Sequence, residues 1–392
     1  MKKSEFPDPF EQARKQKGYG EMDDQNDPVT MILRHEDVRK CAMNWQTFQS
    51  GAKPGRIVVP SEVYIRDTRQ IPFEVDPPLH KEYRALVEQW FRRPVQEDYQ
   101  KRLREIIHQS FEELQGKDSV EIIYDFSLPI QSRALTLLLN CPYEEAEHWI
   151  SWGTHVFRSE DDPLDGSKAN VLYDYLDEAI AKAEANPTDD IYSLLLAAEF
   201  QGRKLTKEEI KGVMILTFAG GRDTVINAIT NTIAYFAEHP EALVRIKEEP
   251  EIKRRAVEEL VRYFAPLTHM GRVVTEETEL CEHAIKHDSR ISLCWASANR
   301  DESIFENPNE VILDRKKNPH LAFGYSHHRC LGATHARQIL LALLDVLVER
   351  LSAIEILDHT DNIEQWGEFE RKVGFHALKV RFHQKSLFKG HV

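Results

Sequence analysis

Between Leu331 and Leu351 the chain carries no proline and one glycine, Gly332. Ala333, Ala336, Leu340, Leu343, Leu344 and Leu347 recur at helical spacing, which predicts a buried helix. Cys330 stands directly before it. The unpaired N–H groups and the positive dipole end of a helix start favour an anion. A cysteine so placed is expected to have a lowered pKa and to be a thiolate, either a nucleophile or a metal ligand. Gly332 leaves room for something large and flat against the backbone, and Gly324 permits a tight turn before it.

The residues alone leave three readings of Cys330. It is an inert buried thiol, a zinc ligand with His327, His328 and His335, or a haem thiolate. The zinc reading lacks a common ligand spacing and a paired Cys-x-x-Cys elsewhere. The chain has 392 residues, enough for a large core, and a formal charge of -14. That charge argues against non-specific nucleic-acid binding, which needs a basic surface. No apolar run approaches the roughly 18 to 20 residues of a membrane span. The first ten residues lack the apolar core of a signal peptide. Five scattered cysteines, Cys41, Cys141, Cys281, Cys294 and Cys330, suit reduced thiols in a cytoplasmic protein. Sparse Gly and Pro and widespread helical periodicity predict a mainly α chain, divided into an extended N-terminal arm over 1–28 and one domain over 29–392.

Further stretches break local rules. Residues 50–79 are an irregular run with five prolines and polar side chains that include Arg56, Glu62, Arg66, Asp67, Arg69 and Gln70. Long loops of this kind are commonly functional, although an ordinary solvated loop is the alternative. After Pro77 and Pro78, His80 and Arg84 share one helical face. A long apolar-periodic helix is expected over 206–237, yet it contains Phe218-Ala219-Gly220-Gly221-Arg222-Asp223-Thr224. Each glycine inside a helix costs about 1 kcal/mol relative to alanine, and burying Asp and Thr adds to that. The glycines would weaken the hydrogen-bond ladder and open a groove with a hydroxyl and a carboxylate in reach. A close helix crossing is the plainer explanation. Glu259 and Arg262 are three apart on a helix over 251–263, where a routine surface ion pair would be unremarkable.

Phe323, Gly324, His328, Cys330, Leu331, Gly332, Ala333, Ala336 and Arg337 together resemble the haem-binding loop of the cytochrome P-450 family, with Ser326 where that family usually has glycine. The resemblance extends over about 30–380, through His80-x-x-x-Arg84, Gly221-Arg222-Asp223-Thr224, Glu259-x-x-Arg262 and Arg272, in order and at compatible spacing. Val225 stands where a second Thr or Ser is common. The resemblance implies small β-sheets beside the helices and one haem b between the long central helix and the cysteine helix. Cys330 would be the iron ligand, and His80, Arg84 and Arg272 the propionate ligands. His328, Phe323, Gly324, Gly332 and Gly220 would bound the haem, and Glu259 and Arg262 would be structural. Thr224 would position a hydrogen bond to dioxygen, and Asp223 would feed protons through water. Leu267, Thr268 and His269, with Arg66 and Arg69 from the 50–79 loop, would face the substrate.

The activity implied is a haem-thiolate monooxygenase. Its electrons come ultimately from NAD(P)H through a separate reductase and a ferredoxin or flavodoxin-type donor, since 392 residues leave no room for a fused reductase. Arg92, Arg93, Arg329 and Arg337 are candidates for a basic docking patch. The polar loop suggests hydroxylation or oxidative O-demethylation of a small polar molecule, such as a methylated sugar or aryl ether. The alternatives are hydroxylation of an apolar secondary metabolite, a peroxide-driven enzyme and a non-catalytic haem sensor.

Overall fold

The computed structural model describes residues 5–158 and 164–385. The protein is mainly helical, with small sheets. Two large apolar clusters fill it. One gathers the helices Glu97–Glu112, Leu128–Leu139, Asp223–Glu238, Lys253–Phe264 and Ala333–Arg350. The other packs the helices Leu79–Glu88, Gly166–Ala185 and Lys207–Gly220 around Trp149, Trp152 and Phe218. Residues 159–168, a run rich in Asp, Pro and Gly that reads as a loop, are described only from residue 164; the next helix begins at Gly166, where the Asp165 carboxylate accepts from the Ser167 and Lys168 amides.

The segment expected to be an extended arm is built into the fold. It forms a helix, Glu11–Gln16, and a strand, Tyr19–Met22. That strand pairs antiparallel with Val29–Ile32 at the edge of a five-stranded sheet. Val29–Ile32 lies parallel to Arg290–Leu293, which pairs antiparallel with Met270–Val274, the strand that carries Arg272. Arg14 is buried and donates to the Ser297 and Arg300 carbonyls, with Asp8 at 2.8 Å. Part of the polarity of this segment is therefore buried: Arg14 with Asp8, and Asp24 with Arg290.

The helix expected over 206–237 is two helices, Lys207–Gly220 and Asp223–Glu238, which meet at Gly221 and Arg222. A reciprocal capping box of Thr206 and Glu209 starts the first. Two consecutive glycines end it, where no side chain shields the ladder.

Glu259 and Arg262 are fully buried rather than a surface pair. The Glu259 carboxylate accepts from Arg262 Nε and Nη2 at 2.8 Å each. It also accepts from Arg315 Nε at 2.9 Å, Asn318 Nδ2 at 3.1 Å and the Ile312 amide at 2.8 Å. Arg262 donates onward to the Asn299, Pro308 and Glu310 carbonyls. One carboxylate thus fastens the irregular run 299–318 onto the Lys253–Phe264 helix. Glu259→Gln leaves two buried guanidinium groups under-compensated and is expected to destabilise the fold by about 3 kcal/mol, read as a lower midpoint in thermal or urea denaturation.

Candidate active site

The two halves of the broken helix and the segment before the Ala333–Arg350 helix face one another across a cavity of about 370 Å³ (the space that water centres reach). On one wall stand Gly220, Gly221, Arg222, Asp223 and Thr224; on the other stand Phe323, Gly324, His328, Cys330 and Gly332. His80 and Arg84 from the Leu79–Glu88 helix and Arg272 from the Met270–Val274 strand join the lining. Sequence positions some 250 residues apart are therefore brought into one enclosure.

The cysteine wall is built by a short closed loop. The Cys330 amide donates to the Phe323 carbonyl at 2.8 Å, and a 3₁₀ turn over Ser326–His328 fills the gap. Gly324 has φ +68° and Ser326 φ +59°. A left-handed residue lies where the related loops carry glycine, and serine accepts it at a cost of roughly 1 kcal/mol. A Cβ built on Gly332 meets only Cys330 Sγ, at 3.9 Å, so any side chain there would project into the cavity.

Cys330 is exposed to the cavity yet enclosed by protein on every side. Burial pushes its thiol pKa up, and the Gly332 amide and the Arg84, Arg337 and Arg329 charges only oppose this. This corrects the expectation of a lowered pKa: Gly332 caps the helix and Ala333 begins it, so Cys330 lies short of the dipole end. A thiolate here needs a cation at Sγ itself.

The cavity edge collects donors that have few acceptors among the described residues. Arg272 is enclosed, and its guanidinium donates only to the neighbouring Gly271 carbonyl, at 2.6 Å, among the described residues; burial lowers its pKa to about 10. Arg84 Nη1 donates to the Arg329 carbonyl at 2.8 Å. Burial, with the neighbouring His328 and Arg84 charges, lowers the His80 pKa to about 3, and its Nδ1 finds no partner among the described residues. His328 packs against His80 with ring centroids 4.4 Å apart; burial lowers its pKa to about 4. His328 Nε2 is 3.6 Å from Asp76 Oδ1, too long for a hydrogen bond. Two guanidinium groups and two imidazoles at one rim suit a ligand that brings carboxylates.

At the helix break, Thr224 Oγ1 donates to the Gly220 carbonyl at 3.0 Å, and Gln131 Nε2 donates to the Gly221 carbonyl at 3.3 Å. These bonds satisfy carbonyls that the interrupted ladder leaves open. Asp223 begins the second helix, and its charge acts on both Arg222 and His155.

Only Leu267 of the five expected substrate residues lines the cavity. Arg66 is buried between Glu62, at 2.9 Å, and Glu74, at 2.7 Å. Arg69 donates to the Ala52 and Glu74 carbonyls. Thr268 donates to Glu364 at 2.6 Å and accepts from Arg371 at 2.8 Å, and His269 bonds Ser292 Oγ. The charges of the 50–79 loop are engaged in folding it, through Glu74 above all, which also accepts from the Gly55 and Gln70 amides. The loop does line the cavity, but with Val58, Glu62, Gln70, Ile71, Pro72 and Phe73. Sequence reading missed Gln131, His155 and Arg158, which also line it and sit in no recognisable motif. Among the described residues no group of three or more His, Cys, Asp or Glu side chains is arranged to hold a metal ion. A lone cysteine therefore suits a metal whose other ligands come with a macrocycle.

A family model for cytochrome P450 matches residues 167–372, and a biotin-biosynthesis cytochrome P450 of Bacillus subtilis is 31% identical over 309 residues, 77% of this chain and 76% of that protein. This chain belongs to the cytochrome P450 family. It is also similar to linalool 8-monooxygenase of Pseudomonas putida, 29% identical over 83% of each chain. A solved structure described as that of a carbohydrate-active P450 is 68% identical, covers 98% of this chain and 100% of its own, and superposes with a TM-score of 0.96. The family is one of haem b monooxygenases that use dioxygen and electrons supplied by a reductase, and the mainly helical single-domain P450 fold is the one seen here. The cavity fits that cofactor: one thiol on its wall, a glycine cradle beside the thiol, and carboxylate-seeking donors at its rim. Among the described residues no helix of this P450 is long and apolar enough to cross a membrane.

Ser326→Gly should relieve the left-handed serine. The expected result is a stability gain of about 0.5–1 kcal/mol in denaturant titration, with the absorption spectrum of the loaded, carbon monoxide-bound protein unchanged.

Proposed function

We propose that this P450 oxidatively removes a methyl group from an O-methylated sugar. The observation that carries the reading is the 68% identity over nearly the full chain to the carbohydrate-active P450. Supporting it, the cavity places Glu62, Gln70, Gln131, His155 and Arg158 among its apolar lining, which suits a ligand with hydroxyl groups better than a hydrocarbon. The net reaction takes R–O–CH₃, O₂, two electrons and two protons to R–OH, formaldehyde and water. One C–H bond of the methyl group becomes C–OH, and the resulting hemiacetal collapses by breaking its C–O bond to the sugar. The electrons derive from NAD(P)H through a reductase.

In this reading the Cys330 thiolate would ligate the haem iron. His80, Arg84 and Arg272 hold the propionates, His328 supports His80, and Phe323, Gly324, Gly332 and Gly220 bound the macrocycle. When bound, haem supplies the centre at which dioxygen is reduced and divided between substrate and water. The chain's own part is placement and proton supply. Thr224, tied to the Gly220 carbonyl, holds its hydroxyl over the break. Asp223 stands beside it as the carboxylate that passes protons through water. Leu135, Val156, Phe157 and Leu216 exclude bulk water. Glu259 and Arg262 act only by fixing the run that leads to the cysteine loop.

The electron donor docks near the cysteine helix. Of the four arginines considered for this, Arg337 is held by Glu258 at 2.8 Å and stacks on Phe323, and Arg93 stacks on Trp90. Arg92, paired only with the half-exposed Glu88, and exposed Arg329 remain to meet an acidic partner.

The test is formaldehyde release from a panel of methylated sugars, set against linalool-like and fatty-acid panels, with a ferredoxin or flavodoxin reductase system. Stoichiometric formaldehyde and free sugar are expected; turnover of the apolar panels alone would sink the reading. Product with peroxide and none with a reductase would identify a peroxide-driven enzyme. Thr224→Ala is expected to lower product formation on the order of 100-fold, with reductant consumption continuing and the carbon monoxide spectrum intact.

A further inference from the structure

The side chain at the centre of the helix break is unusual for its position. Arg222 is buried at 1% exposure, and although the residue forms part of the cavity wall, its guanidinium is held by backbone carbonyls of another element. Its Nε donates to the Gly153 carbonyl at 2.7 Å, and its Nη2 donates to the Trp149 carbonyl. Those carbonyls belong to the end of the Glu145–Ile150 helix and the turn after it, so the guanidinium serves as a C-terminal cap from a distant element. The segment leaving that turn carries His155, Val156, Phe157 and Arg158, four consecutive residues that line the cavity. On the other side Arg222 is bonded in sequence to Asp223, which with Thr224 forms the opposite part of the lining.

We propose that Arg222 is a positioning residue that locks the substrate-facing segment 153–158 to the helix break, so that substrate seated on that segment fixes the placement of Asp223 and Thr224. Three features support it. A buried guanidinium making charge-assisted bonds to two carbonyls is a stiff link. Gly221 lends the break backbone freedom, so an external tie is needed to hold it. Nη1 has no partner among the described residues, so the grip has one donor in reserve for a shifted position of the turn. With its Nε and Nη2 taken by the Gly153 and Trp149 carbonyls, Arg222 acts through the residues on either side.

The experiment uses the full-length, haem-loaded protein and two readings. The first is amide hydrogen exchange without substrate. Arg222→Met is expected to speed exchange across 153–158 about 10-fold, and to leave the Ala333–Arg350 helix unchanged. The second is the ratio of product to electrons consumed. It is expected to fall at least about 3-fold in Arg222→Met, with a raised KM, and to recover in part in Arg222→Lys, which keeps the charge and one donor. In the wild type, substrate should slow exchange at 153–158 and 223–226 together; in Arg222→Met it should slow only the former. A stabilising role alone would lower the melting temperature and leave that joint response and the product ratio at wild-type values, which overturns the inference. Should Arg222→Met not fold, Arg222→Gln is read in its place against the same criteria. If the wild type turns over no methylated sugar, the substrate reading has failed, while the substrate-free exchange still decides whether Arg222 holds the wall.

Discussion

The buried carboxylate of Glu259 is the contact on which the active site leans. It is fully enclosed, and it binds Arg262 from its own helix and Arg315, Asn318 and the Ile312 amide from the irregular run beyond. From there the fastening continues to the cysteine. Asn299 Oδ1 accepts the Leu321 amide at 2.6 Å, the Gly324 amide donates to the Leu321 carbonyl, and the Cys330 amide donates to the Phe323 carbonyl. A segment without regular structure cannot hold a metal ligand in place by backbone ladders alone. Here a desolvated charge, strong only because its partners are complete, supplies the rigidity.

The opposite wall follows a different logic. Two glycines interrupt the central helix, and the freed carbonyls of Gly220 and Gly221 are taken up by Thr224 and Gln131. The break stores little unsatisfied polarity, yet it leaves a hydroxyl and a carboxylate facing the cavity. Arg222 turns the same break into an anchor for the wall that faces substrate. One local weakness thus opens the cavity wall and, on the proposed function, serves proton supply and substrate placement as well.

Much of the site was legible because its residues violate local rules. Glycine pairs in an apolar helix, a cysteine ahead of a long leucine helix and a His-x-x-x-Arg face each stand out against propensity. The substrate side was not legible in that way. Arg66 and Arg69 read as pocket residues because they lie in a long polar loop, but pairing with Glu62, Glu74 and backbone carbonyls turns them inward. Thr268 and His269 follow Pro266 and Leu267 in sequence, yet the latter two line the cavity and the former do not, because Glu364, Arg371 and Ser292 hold them elsewhere. His155 and Arg158 carry no pattern at all, and only packing brings them to the wall.

By itself the sequence determined the helical class, the cysteine wall, the break with Asp223 and Thr224, and the order of elements around them, since each is encoded by neighbours within a few residues. The tertiary structure decided which charges face the cavity, the protonation tendency of Cys330, and the pairing of Tyr19–Met22 at a sheet edge. Those outcomes depend on burial and on partners tens to hundreds of residues away. A charged side chain's direction is set by whichever opposite charge or carbonyl reaches it when water is removed, and no local pattern records that.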